Sequence, residues 1–403
     1  MGGKAALLLV LSFSGLFMIF GQRFNWLTSD AMDNLYDYYT ETKAHNIAVA
    51  GANLGASAIF FDEEWNEGYD DLQFNGGIID VKISDIGSER LLVCKGTYGG
   101  MTKEVTVKFR PSSFGKFGYY MNLFGGADKF NTGDTIFGPF HTNGKLTTKG
   151  SPVFMGKATT KLGLKMEAPK KPKFYGGYES GIDIPFEFDA SATPAAAGMG
   201  GMLYPAGPLD VRLVFNDDAT ITHSSSEMGK DTWTPAVTEP LADFAPNGVI
   251  WNPKGNLYVS GTVSGQYTIG VGISSGIGSG NVYLEDDLVY RTDPINDPVC
   301  TDMLGIVAGN NVIVSDLPAN YNNINIHASI LTSQGGLSVE NLKSFPTAGT
   351  LYLAGGIVGY QNQPFSDGTK GFKFKLKYDE RFMVTTPPSF PATSGLEIVS
   401  WFE

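Results

Sequence analysis

The sequence has 403 residues, and its 29 Lys and Arg against 41 Asp and Glu give a net charge of −12 at pH 7. So acidic a chain is a poor candidate for binding nucleic acid or anionic membranes through basic patches, and its 42% hydrophobic and 12% aromatic residues argue against disorder. The 51 glycines and 21 prolines follow no collagen period and indicate many tight turns, which favours a β-rich body and excludes an all-helical bundle.

The first predicted element is an apolar helix at the amino terminus. From Ala5 to Phe20 the chain carries no charge, and Lys4 precedes this stretch. Its length of about 16–18 residues is slightly short for a membrane span, and Lys4 favours an orientation with the amino terminus inside. No small-x-small cleavage site of a signal peptide follows it. The alternative is a plain signal anchor that tethers an extracellular domain.

The helical pattern continues after Gly21 to about residue 61. Apolar Ile47, Leu54 and Phe61, with alanines between them, follow a spacing of three and four. Ser29 with Asp30 is suited to cap a second helix, which predicts one break near residue 28. A set of small residues predicts a face for close packing: Ala44, Ala48, Gly51, Ala52, Gly55 and Ala56.

A three-stranded meander is predicted after the helix. Apolar and polar residues alternate over Ile78–Ile83, Leu91–Lys95 and Lys103–Phe109. Turns at Asp85–Ser88 and Tyr98–Gly100 separate these strands.

The uncharged helix, the segment AHNIAVAGANLGA at residues 44–56 and the meander together resemble the type IV pilin-like family. The likeness is to the large subclass that resembles minor pilins and general-secretion pseudopilins, and it covers residues 1–110 most clearly. It implies a structural subunit of an extracellular filament on the bacterial cell surface, anchored in the inner membrane before assembly. The implied partners are copies of the chain and the pilus or secretion assembly machinery, with no nucleic acid.

Nine residues are the predicted contacts of a filament core built by this helix. They are Leu8, Leu11, Phe13, Leu16, Phe17, Phe20, Ile47, Gly51 and Leu54.

Two departures from the family pattern bear on the role. Pilins usually carry a glutamate at mature position five, whereas this chain has Ala5 if Met1 is the first mature residue, and no acid precedes Asp30. An apolar residue there occurs among minor, tip-type members, so a tip pilin or a membrane-tethered adhesin is the alternative role. The sequence leaves open whether Gly2 or Gly3 is the glycine after which a prepilin peptidase cuts.

Beyond residue 110 a short phrase recurs, in which a glycine or asparagine turn is followed by alternating apolar residues. It reads GNLYVSG from Gly255, GNVYLED from Gly280, NNVIVSD from Asn310, GTLYLAGG from Gly349 and INIHASI from Ile324. The recurrence predicts successive coils of a parallel β-solenoid, and a β-sandwich is the alternative. The fold class expected is therefore α+β, a long helix followed by a meander and a β-rich body.

Three domains are expected: residues 1–62, 63–110 and 111–403, the last with an insertion at about 161–250 and a hairpin around Val211–Thr222. Near the end, Phe372, Phe374 and Leu376 alternate with lysines and predict a closing hairpin with the final strand. Phe390 and Trp401 are expected to cap the solenoid.

The sequence offers little material for catalysis, so no enzymatic activity is expected. The four histidines are His45, His141, His223 and His327, and Asp134 is the acid near His141. A hydrogen-bonded turn histidine is the simpler interpretation of His141, and His327 is expected to point outward from a strand. A polysaccharide-active β-helix would need clustered acids on one face, where the repeats carry Ser, Tyr, Asn and Thr instead.

No cofactor is expected, although two acidic clusters are conceivable Ca²⁺ sites. They are Asp217 with Asp218, and Glu285, Asp286 and Asp287. Neither matches the twelve-residue EF-hand loop, and solvated loop acids are the favoured interpretation of both. The two cysteines, Cys94 and Cys300, have no CxxC spacing and are interpreted either as a disulfide or as two small buried thiols.

Overall fold

The computed structural model describes residues 2–86, 89–112, 114–125, 129–273, 278–297, 299–393 and 395–403. The chain divides into two compact units. Met1–Ser112 with Gly395–Glu403 forms the first, which we call the helix unit, and Ser113–Ser394 forms the second, which we call the β body. The expected division into three domains stays a prediction.

Three α-helices and three short 3-10 helices lie in the described residues. They are α1 (Gly2–Phe61), α2 (Ala192–Gly198) and α3 (Leu241–Phe244), with 3-10 turns at Phe114–Lys116, Pro318–Tyr321 and Glu380–Met383.

Helix α1 is continuous, so the predicted break near residue 28 is wrong. The Thr28 hydroxyl donates a hydrogen bond of 2.8 Å to the Phe24 carbonyl, and the Ser12 hydroxyl donates one of 2.8 Å to the Leu8 carbonyl. Hydrogen bonds of this kind allow Ser and Thr to lie inside a helix, and the predicted caps Ser29 and Asp30 likewise lie within α1. At ~1.5 Å per residue, a helix of 60 residues is about 90 Å long.

The strands are, in chain order, β1 (Tyr69–Phe74), β2 (Gly77–Ile86), β3 (Glu89–Tyr98), β4 (Met101–Pro111), β5 (Tyr119–Leu123), β6 (Phe130–Asn131), β7 (Thr135–Phe137), β8 (Phe140–Thr142), β9 (Leu146–Lys149), β10 (Val153–Phe154), β11 (Ala158–Thr160), β12 (Leu164–Glu167), β13 (Lys173–Phe174), β14 (Tyr178–Ser180), β15 (Phe188–Asp189), β16 (Met202–Leu203), β17 (Leu209–Phe215), β18 (Thr220–Glu227), β19 (Val237–Pro240), β20 (Val249–Asn252), β21 (Gly255–Val263), β22 (Gln266–Val271), β23 (Asn281–Tyr290), β24 (Met303–Ala308), β25 (Val312–Val314), β26 (Ile324–Thr332), β27 (Leu337–Val339), β28 (Thr347–Gln361), β29 (Gly371–Tyr378), β30 (Ala392–Thr393) and β31 (Leu396–Phe402).

The helix unit contains an antiparallel sheet in the order β1-β2-β3-β4-β31. Strands β2, β3 and β4 confirm the predicted meander and extend each of its strands by a few residues. Gly99 and Gly100 form the predicted second turn, with φ of +57° and +82°. The predicted first turn, Asp85–Ser88, includes residues 87 and 88, which lie outside the described part of the chain.

The small-residue face of α1 packs on this sheet, which confirms the predicted close packing. Ala44, Ala48 and Ala52 are completely buried. The core that Ala48 and Ala52 help to form also contains residues from the meander, namely Ile79, Val81, Leu92, Cys94, Val105, Val107 and Phe109. Burial of this apolar surface holds the second half of α1 on the sheet.

The β body is dominated by one large sheet in which most neighbouring strands are parallel. Three of the five repeated phrases lie on β21, β23 and β25, which stack in register with β27, so that Leu257, Val282, Val312 and Leu337 are aligned and buried. The other two lie on β26 and β28, which pair in parallel with each other. The sheets are nevertheless open and mixed, with antiparallel pairs at β17–β18, β18–β19 and β15–β30. They establish an α+β fold with a strand-rich body and leave the β-sandwich as an alternative to the solenoid.

The asparagine of the repeated phrase has a structural role that the sequence did not predict. The Asn256 side-chain oxygen accepts the Asn281 backbone N–H at 3.1 Å, and the Asn281 oxygen accepts the Asn311 backbone N–H at 3.2 Å. The Asn311 oxygen in turn accepts the Gly336 N–H at 3.1 Å, and the Asn256 amide donates to Asp210 at 2.9 Å. This asparagine ladder satisfies the backbone N–H groups of successive turns.

Two predictions concern chain pairing in the later part of the sequence. The hairpin around Val211–Thr222 is confirmed by β17 and β18, which pair antiparallel. The closing hairpin is wrong, because β29 pairs in parallel with β28 and β7, whereas β31 pairs with β4 of the helix unit. Trp401 accordingly packs on the helix-unit core and does not cap the β body, whose own apolar cluster includes Phe390.

Candidate functional site

The first half of α1 is an apolar rod that the other described residues leave uncovered. Six of the nine predicted assembly residues lie here and all are exposed, from 50% for Leu16 to 74% for Phe17. The remaining four are Leu8, Leu11, Phe13 and Phe20. Side chains of this size, exposed on every side of one helix, require another apolar environment to cover them.

In the described residues, one helix is long and apolar enough to cross a membrane, at Ala6–Phe61. Its uncharged stretch lies between Lys4 and Arg23, which at ~1.5 Å per residue is close to the ~30 Å of a bilayer core. Exposed Trp26 follows the stretch, and Trp is a residue type enriched at membrane interfaces. Length and composition therefore fit a membrane-spanning segment.

The other three predicted assembly residues lie in the second half of α1. Ile47 and Gly51 are buried against the chain's own sheet, and Leu54 is 42% exposed. The side of α1 that faces away from the sheet carries exposed Asn53 and, at its end, Phe61. The assignment of the nine residues to a filament core stays a prediction, and Ile47 and Gly51 already have partners within the single chain.

Charged side chains also hold α1 to the sheet at residues 41–45, about two thirds of the way along the helix. Lys103 forms an ion pair with Glu41, and the hydrogen bond and charge of that lysine hold the Glu41 pKa below its usual value. The Lys43 ammonium lies 5.8 Å from the ring centroid of Tyr98. His45 lies 3.4 Å from the Glu403 carboxylate. The helix thus changes at about residue 40 from an uncovered rod to an element packed on the sheet.

His141 is completely buried in β8 and is not arranged for catalysis. Its Nδ1 is hydrogen-bonded to the Thr159 hydroxyl at 2.8 Å and its Nε2 to the Asn143 side-chain oxygen at 2.9 Å. Burial lowers the pKa of the imidazole, so it is neutral at pH 7. The expected hydrogen-bonded histidine is confirmed, although it lies in a strand and not in a turn.

Asp134, the acid near His141 in sequence, has different partners. Its carboxylate accepts the backbone N–H of Asn131 at 2.6 Å and that of Phe374 at 2.8 Å. Burial raises the pKa of Asp134 to about 6. The carboxylate joins two segments of the β body, and no hydrogen bond links it to the imidazole among the described contacts.

The remaining histidines also have structural partners. His223 Nε2 lies 2.9 Å from a Glu239 carboxylate oxygen. His327 Nδ1 accepts the Tyr290 backbone N–H at 3.0 Å. As predicted, His327 is directed outward, since it is partly exposed between buried neighbours on β26.

The predicted calcium sites remain hypotheses. Arg212 donates two hydrogen bonds of 2.9 Å to Glu285, and Asp287 accepts from the Asn325 backbone and side chain. The Asp218 carboxylate accepts the backbone N–H and the hydroxyl of Thr220. In the described part of the chain, no group of three or more His, Cys, Asp or Glu residues is arranged to hold a metal ion.

Cys94 and Cys300 are free, buried thiols, so the second of the two interpretations is correct and they form no disulfide. Burial raises the pKa of the Cys94 thiol to about 12. The Cys300 thiol donates to the Thr292 carbonyl at 3.1 Å. Both residues therefore act as small buried side chains.

One surface feature of the β body was missed in the sequence. A groove of about 300 Å³ lies on the outer face of β26, β28 and β29 beside β7. Two of its residues, Lys375 and Lys377, belong to the alternating lysines of β29. The alternation was visible in the sequence, but the neighbouring strands come from distant parts of the chain.

No family model matches the chain, and no curated protein matches it. Among solved structures it is similar to the crystal structure of the competence-associated pilin ComZ from Thermus thermophilus, with a TM-score of 0.34. The identity is 13%, over 90% of this chain and 97% of that one. At this TM-score the match carries no argument about function, which has to be inferred from the chain's own residues.

Proposed function

We propose that the chain is a structural subunit of an extracellular type IV pilus-like filament on the bacterial cell surface. Helix α1 forms the filament core together with the same helix of other copies, and the β body is exposed outside. The observation that carries this proposal is the uncovered apolar surface of α1 before residue 40, where Phe17 is 74% and Leu16 is 50% exposed.

A helix of this kind needs two apolar environments in turn. Before assembly, the uncharged stretch between Lys4 and Arg23 lies in the inner membrane, where apolar side chains face lipid. After assembly, copies of α1 cover one another, because removal of apolar surface from water is favourable. The partners are therefore other copies of the chain and the pilus or secretion assembly machinery that moves subunits between these environments.

We propose further that the β body is a parallel β-solenoid. Support comes from an unbroken run of parallel pairs that joins β20, β22, β24, β26, β28, β5, β8, β11 and β14. The asparagine ladder of Asn256, Asn281 and Asn311 is a second support, since stacked identical side chains are typical of coils that repeat.

A minor or tip pilin, or a membrane-tethered adhesin, is the second candidate. The observation that favours it is the lack of any acidic residue before Asp30 in the sequence, whereas major pilins usually carry a glutamate near the start of this helix. Catalysis is not part of either proposal. His141 and Asp134, the residues closest to a catalytic pair, are both engaged in buried structural hydrogen bonds.

The test is to shear native cells and to count this chain against other pilins in the released fibres by quantitative mass spectrometry. A major subunit dominates the fibre fraction, and a tip pilin is present at a few copies per fibre. Recovery of the chain only from the membrane fraction, as a monodisperse monomer, would contradict assembly into a filament.

A further inference from the structure

The groove on the β body lies where four parallel strands run side by side. His327 of β26, Ala354 of β28, Lys377 of β29 and Phe137 of β7 occupy equivalent positions on adjacent strands. Neighbouring strands are ~4.8 Å apart, so the small Ala354 leaves a hollow between the imidazole on one side and the lysine on the other. The volume of about 300 Å³ is at the lower end of the range for small-molecule pockets, roughly 300–1,000 Å³.

The wall formed by β29 presents two ammonium groups. The Lys375 ammonium lies 5.3 Å from the centroid of the Tyr352 ring, and the Lys377 ammonium lies 5.7 Å from that of Phe137. Among the ion pairs of the described residues, neither lysine has a carboxylate partner, whereas Lys157 pairs with Glu179 at 2.7 Å. On a chain with a net charge of −12, two lysines held by aromatic rings but not neutralised mark a local site for an anion.

The opposite wall supplies a neutral donor. Because His327 Nδ1 accepts the Tyr290 N–H, the proton of the neutral ring is on Nε2. Among the described lining residues the acid is Asp293, which accepts the Ile295 N–H at 2.8 Å and the Asn296 amide at 2.6 Å within its own loop. Asp287 and Asp379 also act on His327, and they are engaged by Asn325 and by Arg381. The nearby carboxylates therefore already have partners, whereas the two ammonium groups have no carboxylate partner among the described ion pairs.

Apolar side chains also line the groove, and they restrict the class of ligand that the groove can bind. The C–H surface next to the charged donors comes from Ala354, Ile295 and the rings of Phe137 and Tyr352. A free phosphate ion has no apolar face to place there, whereas a pyranose ring that bears a carboxylate has both. We propose that this groove binds the carboxylate and adjacent ring face of an acidic sugar, either as a free uronate or as a unit of an acidic polysaccharide. The groove lies within the β body, so its occupancy does not depend on filament assembly.

The test is calorimetric titration of the purified full chain in detergent with glucuronate, with polygalacturonate and with neutral glucose. We expect saturable binding of both uronates and none of glucose. The double variant Lys375→Gln/Lys377→Gln should weaken uronate binding by at least about tenfold. The charge-matched control Lys157→Gln/Lys161→Gln, which removes two lysines outside the groove, should bind within about twofold of the unmodified chain.

A second variant distinguishes binding in a shaped site from non-specific electrostatic attraction of an anion. Ala354→Leu keeps both lysines but fills the hollow, so it should also abolish glucuronate binding, with an unchanged circular dichroism spectrum as the check on folding. The proposal is overturned if glucuronate does not bind saturably, or if the lysine variant and its control lose affinity equally. It is equally overturned if Ala354→Leu binds glucuronate with the affinity of the unmodified chain. It is also overturned if a single-stranded oligonucleotide displaces bound glucuronate at a lower concentration than free glucuronate does.

Discussion

Gly96 of β3 lies directly against the backbone of Ala48 in α1, so closely that a Cβ at Gly96 would overlap the Ala48 nitrogen and the Ala44 carbonyl oxygen. The sheet and the helix therefore meet at backbone contact distance. Ala48 has the smallest side chain that keeps full helix propensity, and Gly96 has none. This contact explains why the second half of α1 is rich in small residues. It is also the position in the helix unit where we expect a larger side chain to reduce stability most.

We predict that Gly96→Ala lowers the free energy of unfolding of the helix unit by about 2–3 kcal/mol, because the backbone of α1 cannot move aside as a flexible side chain would. The matched control is Gly207→Ala, where nothing lies within 4 Å of the added Cβ, and it should change stability by less than ~0.5 kcal/mol. Denaturant titration of the full chain in detergent, followed by tryptophan fluorescence, measures both. Equal stability of the two variants would show that the helix and sheet are not in this contact.

The asparagine ladder predicts a loss of stability in the β body. Asn281 is 3% exposed, and its side chain bonds both to Asn256 and to the backbone of Asn311. Asn281→Ala leaves buried polar groups without partners, so we expect a loss of about 2–3 kcal/mol. Asn322→Ala, at an exposed position, should cost less than ~0.5 kcal/mol. Thermal unfolding of both variants compares them, and a Tm shift in Asn281→Ala no larger than in the control would rule the ladder out as a stabilising feature.

The buried Asp134 predicts a pH dependence of stability. Its pKa in the folded chain is about 6, mainly because of burial, against 3.8 for an unburied aspartate. The folded state therefore holds the proton more tightly, so the stability from this group is fully present below about pH 3.8 and is lost as the pH rises through 6.

At ~1.4 kcal/mol per pKa unit, the Asp134 effect is roughly 3 kcal/mol at most. Asp134→Asn cannot titrate, so its stability relative to the unmodified chain should rise between pH 4 and pH 7. Denaturant titrations at a series of pH values give this difference curve. A curve that is flat over the interval would mean that the Asp134 pKa is not raised.

The uncovered half of α1 predicts a strong effect of charge on assembly. Phe17→Glu places a carboxylate in the middle of the uncharged stretch and should abolish filaments, through failure in the membrane, in the core or in both. Leu162→Glu makes the same chemical change at a 59% exposed position of the β body and should leave filament yield unchanged. Counting fibres in electron micrographs measures the yield, and filaments from Phe17→Glu at normal yield would exclude α1 from the core.

Local patterns carried most of the correct predictions. Each of these predictions used a pattern that is contained within a short stretch of sequence. The patterns are the uncharged stretch of α1, the small residues at Ala44 and Ala48, and the alternation of the meander. The break near residue 28 failed because Ser29 and Asp30 lie inside a continuous helix, and residue type alone does not distinguish a helix cap from a helix interior. Ser29 and Asp30 are residue types typical of a helix cap, but their backbone is helical and does not have the geometry of a cap.

Predictions that needed long-range pairing failed or were missing. The final strand pairs with β4, almost three hundred residues earlier, and not with β29 nearby in sequence. The groove needs His327, Ala354, Lys377 and Phe137 side by side, and no single stretch of sequence contains them. The sequence shows each of these residues separately. It does not show which strands become neighbours, because the order of the strands depends on burial across the whole β body.

The central claim is that α1 forms the core of a filament, and helical reconstruction of the native assembly by electron cryomicroscopy tests it most directly. The account predicts a helical filament in which residues 5–55 of successive copies pack in the core, with Leu8, Leu16 and Phe17 buried between copies and the β body outside. A map in which the first half of α1 remains uncovered, or in which the native material is a membrane-bound monomer without helical order, would contradict it.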